Sequence, residues 1–509
     1  MANYDVIVIG SGNGGLASAA TLALSGKKVL VLEKHNIPGG CGTSFRRGRF
    51  EFEVALHQLS SMGTAEKPGP LREIFRRYGI EKKIDWIPIE SLYKVNLPGG
   101  IGVSIPADRR KAEETLCARF PQEKENILNY FKMVYRFNDE IAAFLAQSAQ
   151  SSGEPSELKK KIMKFGFPKK YPTLAKYAVR STQDVLDEFF KSTELQLCLS
   201  AYWCFMGVPP QRFPFSILAR CTHIYIEDKP YYLRGGSQMM SQAIADCIRE
   251  NGGEIRYNCP AVKMILENGK AVGVIDGSGE QHRAKKIISN ISPVNTYFDL
   301  LEPGQAPEEA RDYLKGYTVG ISALTCFIGL DCPPEEIGFT DSFNLIYDSL
   351  NANEDFLNSY RLDASVDPII ATNYTVDDPE VSPKGTSLIT AGVLKYGQPW
   401  EALSPEEYYE TKYRLANTIV DRLETRFPGF RAHIEEMEVA TPLTHARYLG
   451  HPGGAIYGFE QDLKSSVFFF PQQSFIEGLT FASGWVNTCG FGPNYMYGDK
   501  IAKALLEEV

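Results

Sequence analysis

The stretch from Asp5 to Gly40 limits the possible folds more than any other part of the chain. It reads as an apolar strand (Asp5-Val6-Ile7-Val8-Ile9) followed by a turn with Gly10, Gly12 and Gly15 in G-x-G-x-x-G spacing. After Asn13 comes an Ala- and Leu-rich helix, Gly14 to Ser25, and a second apolar strand, Lys28 to Leu32, ends at Glu33 with Lys34 next. Each part has a physical task. Gly10 permits the tight turn, Gly12 lets the backbone approach a pyrophosphate, and Gly15 lets helix and strand pack closely. The helix N-terminus offers N–H donors and the positive end of a dipole, and an acid at position 33 can accept from ribose hydroxyls. With all parts in order within about thirty residues, the pattern predicts a dinucleotide-binding βαβ unit.

At 509 residues the chain has room for more than one core, and its nucleotide unit cannot be contiguous. Lys286-Ile287-Ile288-Ser289 reads as a strand returning to the first sheet. Asn268-Gly269, between Ala261–Glu267 and Ala271–Asp276, predicts a hairpin. Residues 107–220 read as mostly helical, and residues from about 300 to 439 as strands with one long helix, Pro405 to Phe427. The resulting expectation is an α/β fold with a discontinuous Rossmann-type unit (1–105, 221–299 and 440–509). A second, α+β substrate-binding unit (106–220 and 300–439) carries a helical lid. The net charge of −8 argues against a nucleic-acid binder. Ten cysteines without a C-x-x-C pair argue against a zinc site. The first strand begins about four residues from Met1 and no apolar run reaches ~18 residues, which predicts a cytoplasmic chain without a membrane span.

Four separated segments resemble the phytoene desaturase, carotenoid isomerase and retinol saturase family of flavin-dependent oxidoreductases. They are the fingerprint extended through Pro38-Gly39-Gly40-Cys41-Gly42-Thr43, the block Tyr231 to Val274, the motif Thr441 to Gly458, and the glycine-rich tail after Leu479. The resemblance implies FAD as cofactor, an amine-oxidase-like two-domain fold, and an apolar polyene, isoprenoid or related lipid as substrate. It also implies cofactor contacts at Gly39, Gly40, Thr43, the backbone of Val262, Gly484, and Pro493-Asn494-Tyr495 at the start of the last helix. Trp485 stands where the family often has an aspartate, and Cys41 where amine-oxidase relatives often carry arginine.

His57 follows a strand leading away from the glycine pair, and retinol saturases resemble this chain in placing a histidine there. His57 is therefore the candidate proton donor, with Glu53 as a second catalytic candidate and a slight lean toward saturase-like reduction. Desaturation and isomerisation stay open, as does the electron partner. An amine or porphyrinogen oxidase and a non-catalytic prenyl-lipid carrier are the alternatives on the same fold. Residues 157–180 interleave eight Lys and Arg with apolar residues. They read either as a peripheral contact with the inner face of a membrane or as the solvated face of a lid helix.

Overall fold

The computed structural model describes residues 4–149, 167–463, 474–487 and 490–508. Its first sheet grows outward from the fingerprint strand. Tyr4–Ile9, buried along four consecutive residues, pairs in parallel with Val29–Leu32 on one side and Gln281–Ser289 on the other. A strand buried on both faces suits a parallel sheet covered by helices. The pleat sends Val6, Val8, Val29 and Val31 into one apolar cluster, and Ile7, Ile9, Leu30 and Leu32 into the opposite one. Leu479–Phe481 adds in parallel to Gln281–Ser289, and Glu254–Arg256 extends the far edge. The hairpin expected at Asn268-Gly269 is present: both residues have positive φ, 52° and 79°, the geometry of a type I′ turn.

The first helix, Asn13–Leu24, is buried almost throughout and lies against the last helix, Phe491–Glu508. Their crossing depends on glycine. A Cβ on Gly498 would sit 2.2 Å from the Gly14 carbonyl oxygen, and Ser18 Oγ donates to the carbonyls of both Gly14 and Gly498.

The second sheet has seven strands in the order Ile434–Ala440, Ser322–Leu330, Ser387–Lys395, Ile369–Asn373, Phe343–Ile346, Ser91–Leu97, Ile101–Pro106. Residues 91–106, expected with the nucleotide-binding unit, pair here instead. Ser91–Leu97 runs parallel to Phe343–Ile346, a partner some 250 residues away that local pattern does not announce. One face of this sheet packs on the helix Pro405–Arg426, whose N-terminus closes with a Ser404/Glu407 capping box. The other face joins the helical layer through Leu92, Val95, Phe343 and Leu345. The apolar run Asp184 to Ser200 is two helices, Thr182–Phe189 and Thr193–Ser200, the second capped by Ser192.

Residues 157–166 of the basic segment lie outside the described residues. In the remainder, Phe167, Tyr171, Leu174 and Tyr177 are buried in the core, while Lys176 and Arg180 both pair with Glu188. Among the described residues no helix is long and apolar enough to cross a membrane.

The Gly14–Gly498 contact yields a prediction. Gly498→Ala forces two backbones apart and should lower unfolding stability by about 1–3 kcal/mol. A urea-melt midpoint equal to that of the unaltered protein would contradict the contact.

Candidate cofactor and active site

A cavity of about 510 Å3 runs from the fingerprint turn to the second sheet. At one end Gly10 takes φ +89°, a conformation that L side chains rarely adopt. Gly12 precedes the first helix in extended geometry, and neither a side-chain cap nor an acid in the first turn competes for the helix N–H groups. The small residues here are required by space as well as by backbone freedom. A Cβ would lie 2.6 Å from Asn290 Nδ2 at Gly12, 2.0 Å from the Ala482 carbonyl oxygen at Gly14, and 2.2 Å from the Gly10 carbonyl oxygen at Gly15. Gly39 forms a parallel bridge with Gly12, and a Cβ on Gly40 would lie 3.3 Å from Gly12 Cα. The Gly39-Gly40 pair therefore packs directly on the turn.

Glu33 is buried at the end of the second strand. Its Oε2 accepts from the Ser11 amide and hydroxyl, both at 2.7 Å, and its Oε1 accepts from the His35 amide at 2.8 Å. A carboxylate accepts about four hydrogen bonds, so the residue is fixed in place and keeps capacity toward the cavity.

Of the predicted cofactor residues, Gly10, Gly12, Asn13, Gly14, Glu33, Lys34, Gly39, Gly40, Gly484 and Asn494 line the cavity. Five take other places. Gly15 sits behind the turn, its amide donating to Asn290 Oδ1 at 3.0 Å. Thr43 donates back to the Gly40 carbonyl. Val262, expected to contribute its backbone, has an exposed side chain (47%), and its neighbours Pro260 and Ala261 form the wall. Tyr495 is buried against Phe75 in the core, and Pro493 stands off the lining.

The lining fits an FAD-sized dinucleotide on a chemical count as well. Asn13 Oδ1, Asn494 Oδ1 and Trp485 Nε1 are buried atoms without a hydrogen-bond partner among the described residues, and all three residues line the cavity. Two acceptors and one donor await a ligand that carries both kinds of group.

His57 lines the same cavity. Its Nδ1 lies 2.8 Å from Thr372 Oγ1 and 3.1 Å from Tyr374 Oη, and its ring stacks on Tyr374 at an interplanar angle of 16°. Burial pushes its pKa down to about 4, so the imidazole is neutral at pH 7. That weakens the expectation of a cationic proton donor. What remains is a neutral ring with two hydroxyls at one nitrogen and no partner at Nε2 among the described residues.

Glu53 is not part of the lining. It is buried, and its carboxyl accepts from the Ser237 amide (2.6 Å) and hydroxyl (2.7 Å) and from the amides of Ala55 and Leu56. Burial raises its pKa against those donors. The catalytic expectation for Glu53 gives way to a positioning role: it ties the Val54–Leu56 wall, and so His57, to the start of the helix Gly236–Glu250.

Two further histidines line the cavity. His445 places Nδ1 3.1 Å from Ser322 Oγ. His451 is one that the sequence reasoning missed. Its Nδ1 donates to the Ala455 carbonyl at 2.7 Å and its ring sits edge-on to Trp485. Burial, helped by the Lys34 charge, lowers its pKa to about 4. With Nδ1 carrying the only proton, Nε2 is an acceptor. Cys41 also lines the cavity, but burial pushes its thiol up to about 11, which argues against a nucleophile.

The family model described as flavin containing amine oxidoreductase matches residues 14–424. The prolycopene isomerase of Daucus carota is 29% identical over 490 residues, covering 94% of this chain and 75% of that protein. The all-trans-retinol 13,14-reductase of Danio rerio is 27% identical over 520 residues, covering 96% and 84%. A solved oxidoreductase from Methanosarcina mazei shares the fold, with a TM-score of 0.62 at 17% identity over 98% of this chain and 100% of that one.

The three neutral histidines predict acid sensitivity. Burial lowers the pKa of His57, His445 and His451 to about 4 in the fold, against about 6.5 in the unfolded chain. The unfolded state binds more protons between those values, so stability is lost as pH falls from about 6.5 toward 4. Thermal melts across that window should show the fall, and the triple variant His57→Gln, His445→Gln, His451→Gln should flatten it. An equally steep fall in the variant would contradict the assignment.

Proposed function

Belonging as it does to the flavin-containing amine oxidoreductase family, this chain is an FAD-dependent oxidoreductase, and we propose that it acts on carbon–carbon bonds of a long apolar polyene. One observation carries the reading: a single cavity joins the glycine cradle to a wall rich in apolar groups, and His57 lines it too. Phe205, Ile370, Val393, Leu394 and Ile456 line the far part, and no charged side chain stands among these five. Relatives named for prolycopene and for retinol support a substrate of this chemistry.

Bound FAD supplies hydride exchange with a C=C or C–C unit. The chain's own residues bind, orient and exclude water. The first-helix N–H groups would hold the pyrophosphate, and Glu33 would accept from ribose hydroxyls. The start of the last helix, at Phe491 and Asn494, brings its positive dipole end to the cavity. His57, held at Nδ1 by Thr372 and Tyr374, lines the cavity and has no partner at Nε2 among the described residues.

The depressed pKa of His57 favours a second reading within the same class. Reduction of a double bond consumes a proton along with the hydride, whereas cis–trans isomerisation leaves the proton count unchanged. A neutral imidazole bonded through one nitrogen suits the latter as a positioning group. The sequence-based lean toward reduction rested on a proton-donating His57.

The purified protein should be yellow, with the absorbance of oxidised flavin. Incubated anaerobically with chemically reduced cofactor, a cis-polyene should be consumed. A more saturated product marks reduction, and a geometric isomer of unchanged mass marks isomerisation. No reaction with any polyene, together with oxidation of primary amines in air, would overturn the substrate class. His57→Ala should keep the flavin and lose turnover by about 10²-fold or more. Unchanged turnover would remove His57 from the site.

A further inference from the structure

Behind the wall of the main cavity lies a separate chamber of about 10 Å3, room for one water. Cys204 and Leu394 line both spaces, so one layer of side chains divides them. The chamber is also lined by Trp203, Asp355, Ser359 and Asp367, which are 1%, 3%, 2% and 2% exposed. Three of these residues hold a buried polar atom without a hydrogen-bond partner among the described residues: the Trp203 indole Nε1, Asp355 Oδ2 and Asp367 Oδ2, the last of them ion-paired. Ser359 Oγ donates to the Phe356 carbonyl at 2.6 Å and keeps lone pairs to accept with. Asp367 is engaged by Lys395, whose Nζ lies 2.5 Å from its Oδ2.

An indole that can only donate and a carboxyl oxygen left bare, around a space the size of a water, form a complementary set. We propose that this chamber is a hydration site, in which one buried water accepts from the Trp203 indole and donates to the Asp355 carboxyl and the Ser359 hydroxyl. Native proteins seldom leave buried donors and acceptors unpaired, and a water with three partners satisfies them together.

The site is also an acid held beside the substrate space. Burial raises the Asp355 pKa to about 7; the Ser349 hydroxyl and Arg422 oppose the rise, while Asp367 and Glu354 add to it. The remaining titratable groups around it are Cys204 and Tyr347, whose Sγ and Oη lie 3.0 Å apart, and burial raises the pKa of both. Lys395 spends its charge on Asp367. Above pH about 7 a negative charge therefore appears one side chain behind an apolar wall. The unfolded carboxyl titrates near 3.9. Between about pH 4 and 7 the folded state holds the extra proton, so wild-type stability falls as pH rises through that window relative to Asp355→Asn.

Infrared difference spectra of the holoprotein between about pH 5 and about pH 8 test the acid. A protonated-carboxyl C=O band should be lost with a midpoint near 7, and should be absent from Asp355→Asn. Trp203→Phe keeps a ring in place while removing the N–H. It should abolish the water in a crystal structure that resolves other buried waters, and should move the carboxyl midpoint upward. It also keeps the test alive if Asp355→Asn does not fold. A dry chamber in the wild-type crystal, or a band indifferent to both substitutions, would overturn the proposal.

Discussion

The structure depends on the closeness of backbones around the fingerprint turn. At Gly12, Gly14, Gly15 and Gly498 an added Cβ would fall between 2.0 and 2.6 Å from another atom, three times a backbone carbonyl oxygen. Closeness on that scale joins the first helix to the last and seats the first against Ala482, just past the strand Leu479–Phe481. It is also what leaves helix N–H groups open to a cavity in place of being capped. Packing and cofactor binding here are one constraint, so either fails if the glycines are filled.

A second level of order comes from buried polar groups that hold loops. Glu53 spends its carboxyl on four donors and so fixes the wall that carries His57. Glu33 does the same for the turn through Ser11 and His35, with capacity left over. The contrast is informative: two buried glutamates at strand ends look alike in sequence, and only the one that reaches the cavity can serve a ligand. Likewise the three cavity histidines are kept neutral by burial, which turns them from acids into hydrogen-bonding groups, with the sense fixed at His451 by the Ala455 carbonyl.

Much of this was legible in the sequence where the signal is local. The glycine spacing, the acid at Glu33, the Asn268-Gly269 turn and the returning strand near Ile287 are set by neighbours within a few residues. The misses are non-local. Residues 91–106 join a sheet whose other strands lie more than 200 residues onward. His451 is a cavity group because the fold brings its ring into the lining beside Trp485. The sole sequence clue was its place beside the Gly453-Gly454 pair in a motif already tied to the cofactor.

The most direct measurement of the central claim is flavin content and stability of Gly14→Ala, purified beside the unaltered protein. If one set of backbone contacts both packs the fold and cradles the cofactor, the variant should lose bound FAD and melt at a lower temperature. A variant that stays fully flavinated with an unchanged melting temperature would contradict the account.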